Sequence, residues 1–231
     1  MRTEHSALLM DAFGLSEDTA TAVAHYAEDH DYPGNSVIYY QDDPTTHLYV
    51  LIKGHVRQTY INENGMVTLI SLVPPGKSFG ESGALEGETY CDTAFTIGPT
   101  KAIAVDLSCL NSESCGAEFR AALGTVMARR YRNHVELTRA LYLPNLSLRL
   151  SHTLLRLIES LGNEIRYKGR MVECLGPIVT QQDLGSMARG TRENVNKTLR
   201  SWEKLGIVAL EDRHILLLER AKLEEIELGG T

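Results

Sequence analysis

The chain is predicted to be α+β: an antiparallel β domain, one long helix, and a small helix-turn-helix domain closed by a hairpin. Three observations predict it. Short alternating strands separated by turn residues fill Gly34 to about Asp106, the spacing of an antiparallel barrel or sandwich. A helical stretch without Pro then runs from about Glu113 to Leu143. Finally, TQQDLGSMARGTRENVNKTLRSWEKLGIV has the order helix, tight turn, helix, strand.

At 231 residues the chain accommodates two domains, taking about 100–200 residues per domain. Its 43% hydrophobic and 23% charged residues are those of an ordinary globular protein. No apolar run approaches the ~18 residues of a membrane span. MRTEHSALLM has neither the basic start nor the apolar core of an export signal. A cytoplasmic protein with no membrane partner is therefore expected. Cys91, Cys109, Cys115 and Cys174 lack the close spacing of a disulfide framework. Cys109 and Cys115 flank a short break and are expected to be idle thiols rather than a disulfide. The scattered His show no H-E-x-x-H or comparable spacing, so neither an enzyme nor a metal site is expected.

The net charge of −7 divides unevenly. From Asn145 onward there are 13 basic and 12 acidic residues, and the first 144 residues hold 10 and 18. An acidic half joined to a near-neutral half is compatible with DNA binding where the cations are concentrated locally.

Taken in order, Ser16 to about His30 reads as a short helix with Ser16 as N-cap and Pro33-Gly34 as its stop. Strands follow at NSVIYY, HLYVLI, HVRQTYI, MVTLISLV and KAIAVDL, divided by QDDP, KG, NENG, PPGK and GPT. In the long helix, Phe119, Leu123, Val126, Arg130, Asn133, Leu137 and Ala140 follow a 4-3-4-3-4-3 spacing, the seam of a coiled coil. A two-stranded dimer helix is the favoured reading, with one helix lying on the β domain as the other. Pro144 breaks it, Asn145 or Ser147 caps a new helix ending at Gly162, and 143–145 is taken as the hinge. The predicted domains are 1–114, 115–143 and 144–231. Small strands are expected at MVECLG and PIVT, helices opened by Thr180 and Thr191, a hairpin turning at Glu211–His214, and a last helix near Ala221–Leu228.

In the helix-turn-helix segment, Leu184 and Met187/Ala188 point inward, and Val195, Leu199, Trp202 and Leu205 form one apolar face. The opposite face carries Arg192, Glu193, Asn196, Lys197 and Arg200. Arg189 to Lys204 holds five basic and two acidic residues. Arg and Lys donate to guanine O6/N7 and Glu accepts from cytosine N4, so Arg192, Glu193 and Lys197 are the candidate base readers. A solvated face of a two-helix hairpin is the plainer alternative.

On YPGNSVIYYQDDP, HLYVLIKGHVRQTY, LVPPGKSFGE, VMARRYRN and LGSMARGTRENVNKTLRSWEKLGIV, the sequence resembles the CRP/FNR family of bacterial transcription regulators over nearly its whole length. The resemblance implies an N-terminal double-stranded β-roll of the cyclic-nucleotide-binding type, a long dimerisation helix and a C-terminal winged helix-turn-helix. It implies a homodimer on double-stranded DNA, with half-sites about one helical turn apart, a G/C core similar to TGTGA, and RNA polymerase as a partner. Base readout is carried onto Arg192, Glu193 and Lys197. Lys197, where the family commonly has Arg, keeps the charge and loses the bidentate fork. Thr180, Gln181, Arg189, Thr191 and Arg200 are expected on phosphates, which position without specifying.

Cyclic-AMP-binding members have Gly-Glu at the start of GESGALEGETYCDTAF, followed by Arg-Ser/Thr-Ala. Gly80 and Glu81 match, with Ser82 beside them, but the second part reads Asp92-Thr93-Ala94. An acid stands where the phosphate's cation belongs, adding repulsion to a lost pair. His134-Val135 likewise replaces a Thr-Ser of the dimer helix. Gly80, Glu81, Ser82, Asp92, Thr93 and His134 are therefore the expected effector pocket, for something other than ordinary cyclic AMP. The other readings are constitutive DNA binding with a vestigial pocket, and an atypical nucleotide site using Arg57 or Arg130. No resident cofactor is expected; a small-molecule effector, if there is one, is unidentified.

Overall fold

The computed structural model describes residues 2–65, 67–85 and 87–228; Met66, in the predicted strand MVTLISLV, and Glu86, in the effector segment, lie outside them. The chain divides into two compact units, Met1–Arg132 and Asn133–Thr231. The boundary falls inside the long helix rather than at 143–145.

The first unit begins with α1 (Arg2–Phe13) and α2 (Glu17–Val23), then β1 (Ala27–Tyr32), β2 (Val37–Tyr39), β3 (His47–Ile61), β4 (Val67–Val73), β5 (Ser78–Phe79) and β6 (Thr93–Asp106). Its strands are antiparallel in the order β1-β6-β3-β4, with β2 also on β6 and β5 on β3. This is the predicted β-roll. Ser16 caps α2 as expected, accepting from the Thr19 amide, but α2 ends at Val23. Ala27–Tyr32 leaves the predicted helix and pairs with Thr100–Val105 of β6, because the sheet edge offers that backbone a ladder of partners. Lys53-Gly54 and Gly98-Thr100, expected as turns, are bends inside the continuous strands β3 and β6, where the register shifts.

The long helix α3 (Gly116–Ala140) starts within this unit. Phe119, Leu123 and Val126 are buried with Leu9, Phe13, Val23, Val50 and Ile103, and the Phe119 ring meets Phe13 edge-on at 5.2 Å. Glu118 accepts from the Ser16 amide at 2.7 Å and from its hydroxyl at 2.9 Å, locking α3 to the start of α2. The predicted dimer seam is thereby corrected at Phe119, Leu123 and Val126. Its first three members fill the core of their own unit, since α1 and α2 present an apolar surface that the heptad spacing alone does not reveal. The exposed face of α3 instead carries Ala121, Gly124, Thr125, Ala128 and Tyr131.

In the second unit, α4 (Leu146–Leu161) is capped by Asn145, whose Oδ1 accepts from the Leu148 amide at 3.0 Å. Then follow β7 (Asn163–Tyr167), β8 (Arg170–Leu175), α5 (Gln181–Ala188), α6 (Arg192–Lys204), β9 (Val208–Glu211), β10 (His214–Leu217) and α7 (Arg220–Glu227). The sheet order is β7-β8-β10-β9. The strand expected at PIVT is a turn at Pro177–Val179; Pro177 cannot donate to a ladder.

Candidate nucleic-acid interface and effector segment

Two threonine caps build the helix pair. Thr180 Oγ1 accepts from the Asp183 amide at 3.1 Å, and the Thr180 amide donates back to Asp183 Oδ2 at 2.8 Å, a reciprocal capping box that starts α5. Thr191 Oγ1 accepts from the Asn194 amide at 3.2 Å and starts α6. Between them Arg189 adopts the left-handed conformation at φ 49° and the Gly190 amide donates to the Gly185 carbonyl at 2.8 Å. A Cβ on Gly185 would lie 2.6 Å from the Gly190 oxygen, so Gly is required for the close approach of the turn.

Val195, Leu199 and Trp202 are buried, which fixes the roll of α6. Leu205 is corrected: it is 64% exposed, because the helix stops at Lys204 and Leu205 is its C-cap. The roll leaves Arg192, Glu193, Asn196, Lys197 and Arg200 exposed on one side. Arg189, Arg192, Glu193 and Lys197 pair with no other side chain among the described residues and keep their full donor or acceptor capacity for a ligand. Arg200 Nη1 contacts Glu203 Oε2 at 2.7 Å, and Glu203 Oε1 accepts from the Leu210 amide at 3.2 Å, tying α6 to the hairpin. The Arg200 partner holds the Glu203 carboxyl below its ordinary range.

Thr180 needs correction as a phosphate contact. Its hydroxyl hydrogen is given to Asp183 Oδ2 at 2.8 Å, and a hydroxyl has only one hydrogen to give. Gln181 lies at the first turn of α5 and donates to Asn196 Oδ1 at 3.4 Å. A cleft of about 640 Å³ between α5, α6 and the hairpin is lined by Gln181, Arg192, Arg200, Arg213 and His214, among others. Arg213 and His214 were missed in the sequence. Asp212 and Arg213 both have positive φ (45° and 67°), a two-residue reversal that places them at the tip of the hairpin. The signal was the Glu211–His214 turn itself.

The effector segment lies in the β-roll. Gly80 has φ +82°, and a Cβ there would meet Tyr39, Tyr49 and Tyr90 at 3.3 Å. Glu81 is 1% exposed and its Oε1 is 2.9 Å from Arg130 Nη2 on α3, which also donates to the Ser78 carbonyl. Asp92 faces inward. Tyr39 Oη donates to its Oδ1 at 2.8 Å, Gln58 Nε2 to its Oδ2 at 3.0 Å, and the Cys91 thiol reaches Oδ2 at 3.7 Å. Burial pushes the Asp92 carboxyl above its ordinary range, opposed by these donors and by the charge of Arg130. Tyr39 stacks on Tyr90 at 3.8 Å.

Of the expected pocket residues, Gly80 and Asp92 both lie against Tyr39, and Thr93 Oγ1 accepts from the Gln41 amide at 3.0 Å. Ser82 lies with Cys91 on a surface cleft of about 690 Å³ lined by Asp42, Glu63 and Glu88. His134, like Asn133 and Leu137, belongs to the second unit, and His134 is exposed. Tyr39 and Gln58 were missed; their signal was a Gln two residues after the buried Val56 on one strand face. Cys109 and Cys115 are buried free thiols, and burial pushes Cys109 up to about 12, which leaves it protonated and unreactive near neutral pH.

No described helix is long and apolar enough to cross a membrane, and no group of His, Cys, Asp and Glu among the described residues could hold a metal ion.

Comparison with known proteins agrees with this architecture. The cyclic nucleotide-binding domain profile matches residues 29–113, and the Crp-like helix-turn-helix domain profile matches residues 148–226. The CRP-like cAMP-activated global transcriptional regulator of Mycobacterium tuberculosis is 24% identical over 211 residues, covering 91% of this chain and 92% of that protein. The cyclic AMP receptor protein of Thermus thermophilus is 26% identical over 222 residues, covering 94% and 95%. The crystal structure of TTHB099, a CRP-family transcriptional regulator of Thermus thermophilus, superposes with a TM-score of 0.71 at 25% identity, covering 87% of this chain and 97% of that one. With β-roll, long helix and capped helix-turn-helix in this order, the chain belongs to the CRP/FNR family of DNA-binding transcription regulators.

Proposed function

We propose that the protein regulates transcription as a homodimer on a two-fold operator, with base readout by Arg192, Glu193 and Lys197. The observation that carries this is the unpaired exposed row of these three side chains at the start of α6, beside a cleft lined by three arginines. Unpaired cations lose no internal partner on reaching DNA, and Glu193 can accept from a cytosine amine. Gln181, Arg189, Thr191 and Arg200 serve as phosphate contacts around them, joined by Arg213 of the hairpin. The exposed small side chains Ala121, Gly124 and Ala128 of α3 support self-association along that face, since small residues let two helices approach closely. RNA polymerase is the downstream partner in this reading.

Ordinary cyclic AMP is not the effector in this reading. Asp92 supplies a buried anion where a nucleotide's phosphate would require a cation, and Tyr39 and Gln58 hold it there. Control by a different small ligand of the β-roll is the first reading. Constitutive binding is the second, favoured by the internal partners that Tyr39 gives Asp92 and Arg130 gives Glu81.

Selection of randomised DNA by the purified chain tests the regulator reading: an enriched palindrome is expected, and a pool without enrichment would refute it. A thermal-shift series with cyclic AMP and cyclic GMP tests the effector reading. No shift is expected, and a micromolar response to cyclic AMP would overturn it.

A further inference from the structure

We propose that His214 makes DNA binding proton-dependent: its imidazole takes up a second proton as a backbone phosphate enters the cleft beside the β9–β10 hairpin, so that affinity rises on mild acidification. This rests on the DNA-binding reading above and adds a regulation to it.

The cleft between α5, α6 and the hairpin brings His214 together with Arg192, Arg200 and Arg213, and Asp212 is the one carboxylate among its lining residues. Three guanidiniums against one carboxylate make a net cation before His214 is counted, the composition of an anion site. The turn sets the imidazole in it. Asp212 and Arg213 reverse the chain at positive φ, and His214 Nδ1 lies 3.0 Å from the Asp212 carbonyl. A carbonyl oxygen only accepts, so Nδ1 carries a hydrogen and Nε2 is the nitrogen that changes protonation. No side chain among the described residues pairs with Nε2, and His214 is only half-buried.

The charged groups around it are few. Arg192 and Arg200 come from α6, Asp212 and Arg213 from the turn, and Glu211 of β9 stands directly opposite in register. Glu203 is held behind Arg200 by that arginine and by the Leu210 amide. Helix α5 contributes the neutral Gln181 and Gln182, and β8 places the neutral Leu175 against Ile215.

The coupling follows from charge. Histidine is the side chain whose charge ordinarily changes between pH 5 and 8. A protonated Nε2 donates to a phosphate oxygen in a charge-assisted bond, whereas a neutral Nε2 turns its lone pair toward those of the phosphate. The phosphate therefore binds the protonated form more tightly, and by reciprocity the proton binds the DNA complex more tightly than the free chain. Affinity is full where the imidazole is charged and is lost as pH rises through neutrality. The effect is blind to base sequence, because a phosphate carries none.

The test is titration of the full-length chain with the duplex enriched from randomised DNA and with an unrelated duplex. Both are measured at pH 6 and pH 8 over a range of salt, for wild type, His214→Gln and His214→Lys. Wild type should bind roughly 10-fold more tightly at pH 6, by the same factor on both duplexes. Its plot of log affinity against log salt should also be steeper at pH 6, by about one per protomer. His214→Gln should lose both differences. His214→Lys, charged at either pH, should bind at pH 8 as wild type does at pH 6, an outcome that holds the test open if the Gln variant fails to fold. His214→Gln with the wild-type pH and salt dependence would overturn the proposal, as would a pH effect confined to one base pair, the mark of a base reader. Specific binding that ignores pH overturns the proposal alone, whereas a pool with no enriched duplex refutes the DNA-binding reading itself.

Discussion

Tyr39 Oη donates a 2.8 Å hydrogen bond to Asp92 Oδ1 in the interior of the β-roll, and both groups are nearly inaccessible to water. Removing one partner of such a pair leaves the other desolvated and unmatched, which costs about 1–3 kcal/mol. Tyr39→Phe keeps the ring that stacks on Tyr90 and removes only the hydroxyl. Urea unfolding should show a loss in that range, and a variant as stable as wild type would mean that the bond contributes nothing.

The same carboxyl sets a pH dependence. Its folded-state pKa lies above the unfolded value because burial disfavours the charge. The folded state therefore binds the proton more tightly, and the stabilisation is full below the ordinary carboxylate pKa of about 3.9. It is lost as pH rises through the elevated folded value. Relative to Asp92→Asn, which cannot titrate, wild type should lose stability as pH rises from about 3.9 to the elevated folded value, at no more than about 1.4 kcal/mol per pH unit. Parallel unfolding free energies for the two proteins across this range would show that Asp92 does not titrate there.

Two neighbouring positions on α3 should separate folding from association. Leu123 is fully buried in its own unit, and Leu123→Ala is expected to cost about 2–5 kcal/mol in unfolding experiments. Gly124 is exposed with nothing within 4 Å of a built Cβ, so Gly124→Leu should leave the monomer's unfolding intact. Sedimentation should show it more dissociated than wild type; an unchanged dimer would place the interface elsewhere.

Arg192→Ala should weaken binding to the preferred site by about 1–3 kcal/mol and relax one base position. Titration of matched and singly substituted duplexes checks this. Equal loss on all of them would make Arg192 a phosphate contact.

The helix-turn-helix was legible because each start carries its own signal: Thr180 with Asp183, Thr191, and an apolar repeat at Val195, Leu199 and Trp202. The β-roll was legible in its strand alternation, but Lys53-Gly54 and Gly98-Pro99-Thr100 carry the residues of a turn while the ladder on either side keeps β3 and β6 continuous. Helix α1 gave no signal, because His5 and Ser6 are buried beside Leu9 and blur the apolar period. His5 is accommodated there by a 2.9 Å contact to Asp29 of β1, a tertiary partner that local sequence does not announce. The α3 seam misled for the same reason: a heptad spacing records which residues are buried, not whether the partner is another chain or the same one. In the effector segment, Asp92 was recognised as an anomaly, and Arg130 was named as a cation able to reach the pocket. What pairing alone supplied was that Tyr39 of β2 and Gln58 of β3 both answer Asp92, which lies just before β6.

That three-residue arrangement constrains which substitutions the β-roll tolerates. Gln58 reaches both Asp92 and the Tyr39 hydroxyl, at 3.0 and 3.3 Å, so the three residues form a closed set. Placing an arginine at position 92 would strand two buried donors beside a new cation, and replacing Tyr39 or Gln58 first would leave the carboxylate short of partners. Each single step toward nucleotide recognition passes through a less stable protein, and only the combined change escapes it. Such strongly coupled positions are expected to change together rather than one at a time, whereas Arg192, Glu193 and Lys197 of α6 can each be exchanged without stranding an internal side-chain partner.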